Sequence, residues 1–179
     1  MLPIAPGAKS YPVWDRFIRS FHWALVCCVL LNYFVLEAGE EPHQWVGGIA
    51  SGLVTARVLW GFFGSGHARF SDFFPTPKRL RRYVQSLRSG EPDDHWGHNP
   101  LGALMMLLLM SLVLSLGATG WLQNTDTYFG EEWLQELHAW LGHGLMLCAG
   151  LHAVAAIVMG RLERTRLIKA MLTGIKERY

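Results

Sequence analysis

Four of the eight histidines in this chain lie inside long apolar segments of the sequence. They are His22, His43, His138 and His152. Ionisable side chains are costly in a membrane interior, and where they occur they mark functional sites. Because neutral imidazole is also a common metal ligand, these four residues are the first candidates for chemistry.

The spacing of His138 and His152 predicts two separate sites on one helix face. The two residues are fourteen positions apart in one apolar segment. On an α-helix their side chains point within about 40° of each other and lie roughly 21 Å apart along the axis. One metal ion cannot bridge that separation, and structural zinc prefers cysteine and histidine ligands that converge on one point. The pattern therefore favours two cofactors at different depths.

The elements that position these histidines are predicted to be membrane-spanning helices. The chain has 179 residues, of which 51% are hydrophobic and 17% are charged, and most of the charge falls outside the apolar stretches. An all-α membrane protein is expected, a four-transmembrane-helix bundle in a single domain over residues 1–179. The first span is expected to be retained, because no clear signal-peptide cleavage site follows it. The predicted spans are residues 17–36, 44–63, 101–123 and 137–160.

The distribution of basic residues predicts the orientation of the spans. None of the sixteen lysines and arginines lies between residues 37 and 43 or between residues 121 and 138. By the positive-inside rule, both termini and the central loop are cytoplasmic and the two acidic loops are periplasmic, as in a bacterial inner (plasma) membrane protein. Membrane lipid is therefore an expected partner, and nucleic acid is not.

This orientation brings the histidines to two matching depths. His22 and His152 lie towards the cytoplasmic ends of their spans, whereas His43 and His138 begin theirs at the periplasmic side. Two facing imidazoles are the axial ligands of six-coordinate haem, which transfers electrons and offers no open position at iron. The alternative for any single histidine is a hydrogen bond to a backbone carbonyl of another helix. Glycines that leave room for a macrocycle lie nearby, at Gly47, Gly48, Gly52, Gly142, Gly144 and Gly150.

Two further residues in the spans have predicted roles. Arg57 lies fourteen positions after His43, on nearly the same helix face and about 21 Å deeper. It is a candidate cofactor-binding residue that pairs with a haem propionate, with snorkelling to the headgroups as the alternative. His143 points away from both His138 and His152, and it is expected to face lipid or another helix.

Two basic segments are predicted to form amphipathic helices on the membrane surface. One covers residues 78–88 and carries the apolar stripe Leu80, Tyr83, Val84 and Leu87; the other lies within residues 161–179. A protein-docking role is the alternative for the first. Asn99 is expected to cap the third span, and Pro100 to occupy its first turn.

The sequence resembles bacterial cytochrome b561, and most of all the b-type cytochrome subunits of nickel-iron hydrogenases. The resemblance covers about residues 13–179. It rests on the four histidines, on Arg57, and on short motifs at Trp14–Arg16, Arg19–Trp23, Trp60–Gly64, His67–Phe70 and Gly97–Pro100.

The resemblance implies two haem b groups, with His22 paired to His152 and His43 to His138. It also implies electron transport in a respiratory chain, between membrane quinone and a periplasmic redox protein such as a cytochrome c or a hydrogenase. The short acidic outer loops favour a small basic partner over a large hydrogenase. The alternatives are a superoxide:quinone oxidoreductase and a non-redox four-helix transporter or assembly factor. Whether the chain is an enzyme in its own right stays open at this point.

Overall fold

A computed structural model describes residues 9–63, 69–89 and 99–178 of the chain. Within these residues the elements follow in the order β1 (Lys9–Pro12), α1 (Arg16–Phe34), α2 (Glu41–Phe63), α3 (Phe70–Phe73), α4 (Pro77–Ser89), α5 (Pro100–Gln123), α6 (Glu132–Leu162), α7 (Leu167–Thr173) and β2 (Ile175–Arg178).

Four of these helices, α1, α2, α5 and α6, are long and apolar enough to cross a membrane. The predicted all-α fold with four spans is therefore confirmed. The largest difference in bounds is at α6, which begins at Glu132 rather than at Leu137. The apolar pattern marks where the lipid-facing part of a helix begins, whereas backbone hydrogen bonding continues through the more polar turn before it.

The chain divides into two units. One, the hairpin unit, consists of Ser20–Leu59 and Met106–Gly150, so that it holds the two short helix-to-helix loops. The other, the tail unit, consists of Met1–Arg19, Trp60–Met105 and Leu151–Tyr179. His22, His43, Arg57 and His138 belong to the hairpin unit, and His152 belongs to the tail unit.

The tail unit contains a small sheet that the sequence did not predict. Strands β1 and β2 pair antiparallel, with Lys9 opposite Arg178 and Pro12 opposite Ile175. Gly174 ends α7 with a φ of 85°, a left-handed conformation that favours glycine. Its carbonyl accepts hydrogen bonds from the backbone N–H groups of Val13 and Trp14, at 2.9 and 3.1 Å. The amphipathic helix predicted within residues 161–179 is therefore short: it ends at Thr173, and Ile175–Arg178 form β2 instead.

Hydrogen bonds to Glu163 tie three elements of the tail unit together. Its Oε1 accepts the Tyr83 hydroxyl at 2.6 Å and the Asn99 side-chain amide at 2.9 Å. Asn99 also caps α5 as predicted, because its Oδ1 accepts the Gly102 N–H at 2.7 Å. The basic helix predicted over residues 78–88 is present as α4, and Tyr83 on its apolar stripe is buried.

In the hairpin unit, α2 and α5 approach closely at Gly117. A Cβ added there would lie 2.9 Å from the Cβ of Ser51, closer than side chains pack. Val54, Met110 and Val113 are buried in this unit. Many other large apolar side chains are exposed, as expected where the outer surface of a helix faces lipid. Exposed aromatic residues are present at the end of the hairpin unit that holds the two short loops, where a membrane-interface belt is expected; they include Phe34, Trp45, Trp121, Phe129, Trp133 and Trp140.

Candidate functional site

The structure brings together the imidazoles of His43 and His138. His43 lies in the first turn of α2 and His138 in the second turn of α6. Their ring centres are 6.2 Å apart, with a 60° angle between the ring planes. Two imidazoles on opposite sides of one metal ion have centres about 6 Å apart, since each metal–nitrogen bond is about 2 Å and each ring centre lies about 1 Å behind its nitrogen. The observed separation matches that arrangement.

Thr119 orients the ring of His138. Its Oγ lies 2.8 Å from His138 Nδ1 and 2.9 Å from the backbone carbonyl of Ser115. When the Thr119 hydroxyl donates its one proton to the Ser115 carbonyl, the imidazole Nδ1–H donates to Thr119 Oγ. Nε2 of His138 then keeps its lone pair, which is the form that binds a metal.

His43 is held through its backbone rather than through its ring. The Asn32 side-chain amide donates to the His43 carbonyl at 3.2 Å. Nδ1 of His43 is buried and has no hydrogen-bond partner among the described residues. A buried polar atom without a partner calls for an explanation, and an ion or ligand that the imidazole binds is a common one.

Small residues leave space next to these helices. A Cβ added at Gly48, Gly52, Gly142 or Gly144 would meet nothing within 4 Å, and the same holds at Gly150. At Gly120, by contrast, a Cβ would lie 3.4 Å from His138 Cε1, so this position lets the ring lie against α5. Gly48, Gly52 and Gly150 are exposed, so the open space there is on the outside of the helices, and the fit of a haem group rests on the His43/His138 pair.

Arg57 is a buried cation in the same unit. Its side chain is only 2% exposed and is the largest of the fully buried side chains in the described part of the chain. A buried cation within a membrane span is a functional candidate, and its pairing with a haem propionate stays a prediction.

His22 and His152 lie on the predicted helices, in different units. His22 is half-buried in α1 and meets the Trp23 ring edge-on, with ring centres 5.1 Å apart. His152 is half-buried in α6. Their pairing stays a prediction.

The remaining histidines divide into one described residue and three that are not described. His143 is exposed and lies 2.8 Å from the Tyr33 hydroxyl, in agreement with the expectation that it faces lipid or another helix. The predictions for His67, His95 and His98 fall outside the described residues.

Sequence reasoning missed Thr119, Asn32 and Tyr33. A comparison of positions along the two helices would have identified Thr119. Thr119 lies one turn before the end of α5 and His138 lies in the second turn of α6, so a short connection brings both to similar depth in a helical hairpin. Asn32 and Tyr33 gave no such signal, because the histidines that they contact follow from helix packing.

Four apolar helices and a facing pair of imidazoles define a class: a multi-pass membrane protein with a site suited to a metal group between its helices. The chain belongs to the prokaryotic cytochrome b561 family, whose sequence model matches residues 13–174. Haem b is the cofactor that this family implies.

Curated relatives agree with this assignment. The chain is 24% identical to a "Probable Ni/Fe-hydrogenase B-type cytochrome subunit" of Azotobacter vinelandii over 159 residues, which cover 72% of this chain and 65% of that protein. A protein of the same description from Rhizobium leguminosarum bv. viciae is 24% identical over 161 residues, covering 74% of this chain and 67% of the relative. A "Cytochrome b562" of Cereibacter sphaeroides is 26% identical over 164 residues, covering 90% of this chain and 96% of the relative. No solved structure matches the chain.

Proposed function

We propose that this chain is a di-haem b-type cytochrome of the bacterial inner membrane that transfers electrons between the quinone pool and a periplasmic redox partner. The proposed axial ligand pairs are His43 with His138 and His22 with His152. When bound, haem b supplies reversible one-electron transfer at iron. Because both axial positions are filled by imidazole, neither dioxygen nor substrate has a place to bind at iron.

Support for the His43/His138 site comes from the facing rings. Their 6.2 Å separation suits coordination from opposite sides. The Thr119 contact at 2.8 Å adds the kind of outer hydrogen bond that fixes the tautomer and direction of a metal-binding histidine. The two observations are independent, because one concerns distance and the other concerns the availability of Nε2.

Support for the second site comes from the sequence and from Arg57. His152 shares a helix face with His138, about 21 Å along the axis. Arg57 has the same separation from His43 on α2, and its side chain is buried. A buried guanidinium at the depth of a second haem would hold a propionate by charge-assisted hydrogen bonds.

The proposed orientation places the acidic loops in the periplasm. These loops and the adjacent helix turns contain seven acidic residues and no lysine or arginine. All seven are exposed: Glu37, Glu40, Glu41, Asp126, Glu131, Glu132 and Glu136. An exposed negative surface attracts a partner with a positive one, and a small basic cytochrome c has that character. A hydrogenase is the other candidate partner, from the printed names of the relatives.

Haem content of the detergent-purified chain tests the proposal. We expect a reduced-minus-oxidised visible spectrum of a b-type cytochrome and two haem b groups per chain by pyridine haemochrome quantitation. Addition of a quinol should then reduce the pigment in the absence of dithionite. Colourless protein would overturn the proposal and favour a non-redox transporter or assembly factor.

A further inference from the structure

A hydrogen-bonded tyrosine–histidine pair lies on the exposed surface of the hairpin unit. The Tyr33 hydroxyl, in the last turn of α1, is 2.8 Å from His143 Nδ1 on α6. Both side chains are exposed, and Tyr33 is 40% exposed. Because α1 and α6 are both long and apolar enough to cross a membrane, two exposed polar groups on them are accessible to a lipid-soluble ligand. Such groups in a span are functional candidates by default.

This pair is separate from the proposed haem ligands. His143 follows His138 by five residues, which places it about 7.5 Å further along α6 and on a different side of the helix. Its Nε2 has no hydrogen-bond partner among the described residues, since the contacts of its ring are with Tyr33 and Trp140. One nitrogen is therefore held by Tyr33, and the other is available to a ligand from the bilayer.

The pair can hydrogen-bond to both redox states of a quinone. When the Tyr33 hydroxyl donates to Nδ1, Nε2 carries the proton and can donate to a quinone carbonyl. When Nδ1 carries the proton and donates to the Tyr33 oxygen, Nε2 can accept a hydrogen bond from a quinol hydroxyl. A shift of tautomer thus converts the site from a donor into an acceptor, with no side-chain movement.

The surroundings suit a flat ring with an apolar tail. The Trp140 ring meets His143 edge-on, with ring centres 6.5 Å apart, and Phe34 meets Tyr33 edge-on at 5.0 Å. Trp140 and Phe34 are 74% and 67% exposed, so they present aromatic surface next to the polar pair. Small-molecule sites typically combine apolar aromatic walls with a few placed polar groups. A lipid phosphate is a poorer occupant, because neither short loop of this unit contains a lysine or arginine.

We propose that Tyr33 and His143 bind the headgroup of a membrane quinone. The inference rests on the proposed function, and it gives that function a binding site for its lipid-soluble substrate near the His43/His138 site. The hydrogen bond to Nε2 of His143 holds one oxygen of the headgroup, and the Tyr33 hydroxyl supports either tautomer of the imidazole as donor or acceptor.

Photolabelling tests this site directly. The full-length, haem-loaded protein is placed in phosphatidylcholine nanodiscs and illuminated with a short-chain azido-ubiquinone, and the labelled peptides are identified by mass spectrometry. We expect label near Tyr33 and over residues 140–147, with competition by excess unlabelled ubiquinone. If excess phosphatidylglycerol removes the label and excess ubiquinone does not, the site binds a lipid headgroup and the proposal is overturned.

Matched variants sharpen the result. Tyr33→Phe keeps the aromatic ring and removes the hydroxyl, so labelling should fall about tenfold, as for one lost hydrogen bond at a desolvated site. His143→Phe should abolish labelling. His143→Gln should retain most of the labelling, because its amide can still donate to a carbonyl. Tyr128→Phe is the control, because Tyr128 is also exposed in the hairpin unit and meets Trp133 edge-on. Labelling that is unchanged in both Tyr33→Phe and His143→Phe, or absent in the unaltered protein, would overturn the proposal.

Haem content, measured in the same samples, separates this inference from the proposed function. Two haem b groups that quinol reduces, with no label at the pair, would leave the electron-transfer proposal intact and remove this site. Label at Tyr33 and His143 in protein that contains no haem would support this binding site and overturn the electron-transfer proposal.

Discussion

A residue pair rather than a single residue is the unit of chemistry in this protein. An isolated imidazole in a membrane span needs only a backbone carbonyl as its partner. His43 and His138 instead face each other, and the outer nitrogen of His138 is already engaged by Thr119. The His43/His138 pair is therefore the strongest candidate in the described part of the chain for binding a shared group.

Replacement of His138 should remove one haem and leave the other. In His138→Ala, pyridine haemochrome quantitation is expected to fall from two haem b groups per chain to about one, because the two proposed sites have separate ligands. His143→Ala is the matched control, since it removes a histidine from the same helix that is not a proposed ligand, and it should retain both. Equal loss of both groups in His138→Ala would contradict two independent sites.

Thr119 should tune the His43/His138 site without being a ligand. Thr119→Val has nearly the same shape but no hydroxyl, so His138 Nδ1 loses its partner and the imidazole becomes less basic. We expect haem affinity at this site to fall about 10- to 100-fold. The midpoint potential should rise, because a less basic ligand stabilises the oxidised iron less.

Potentiometric titration of the visible spectrum measures this effect. Thr119→Ser, which restores a hydroxyl, should return both the potential and the haem content towards those of the unaltered chain. Thr125→Val serves as the control, because Thr125 Oγ donates to the Leu122 carbonyl near the end of the same helix and no contact joins it to His138. A potential that is the same in Thr119→Val as in the unaltered chain would show that Thr119 only packs.

At the scale of elements, a hydrogen bond joins α4 to Glu163, the residue that follows α6. Tyr83 is buried, and its hydroxyl donates to Glu163 at 2.6 Å. Charge-assisted hydrogen bonds of this kind are shorter and stronger than neutral ones. The basic surface of α4 can therefore lie against anionic headgroups while its aromatic residue fixes the helix to the protein.

Loss of this contact should release α4. Tyr83→Phe keeps the ring and removes the hydroxyl, leaving Glu163 with the Asn99 amide alone, at a cost of about 1 to 3 kcal/mol. Because α4 contains four arginines and one lysine, limited trypsin digestion reports its opening. We expect cleavage within α4 to become several-fold faster than in the unaltered chain and in Tyr128→Phe. Equal cleavage rates would mean that packing alone holds the helix.

The sequence predicted elements better than it predicted the contacts between them. Long apolar segments locate the four spans, since the bilayer imposes their length. Asn99 followed by Pro100 predicts the start of α5. The β1–β2 sheet was missed because its strands come from opposite ends of the chain and are four residues each, too short for a clear pattern. Helix spacing predicts the depths of the histidines, whereas the contact of Tyr33 with His143 depends on helix rotation, which hydropathy does not report.

At the scale of the whole molecule, the separation of charge along the chain predicts its orientation. The loop of residues 124–131 contains acids and no base, whereas the C-terminal residues 161–179 contain six basic residues. A reporter enzyme that is active only outside the cytoplasm should therefore be active when inserted after Gly130 and inactive when fused after Tyr179. The reversed result would place the acidic loops in the cytoplasm and would rule out a periplasmic partner at that surface.

The same charge pattern predicts how the molecule selects its redox partner. If a basic cytochrome c meets the acidic loops, the rate of electron exchange should fall steeply as salt rises, since charges more than about 10 Å apart are screened at 0.1 M ionic strength. Combined neutralisation in Glu37→Gln, Asp126→Asn and Glu136→Gln, all at exposed positions, should slow association about tenfold at low salt and flatten the salt dependence.

Stopped-flow kinetics with a basic and an acidic soluble cytochrome distinguishes docking at the acidic loops from an effect of the overall charge of the protein on the association rate. The basic partner should lose rate in the neutralised variant, whereas the acidic partner should gain it. Lys78→Gln, at an exposed position on α4, alters the charge of the other unit and should change neither rate. If the neutralised variant exchanges electrons with both partners at the rates of the unaltered chain, electrostatic attraction does not bring the partner to these loops. A partner held by apolar contacts, as in permanent complexes, then becomes the better explanation.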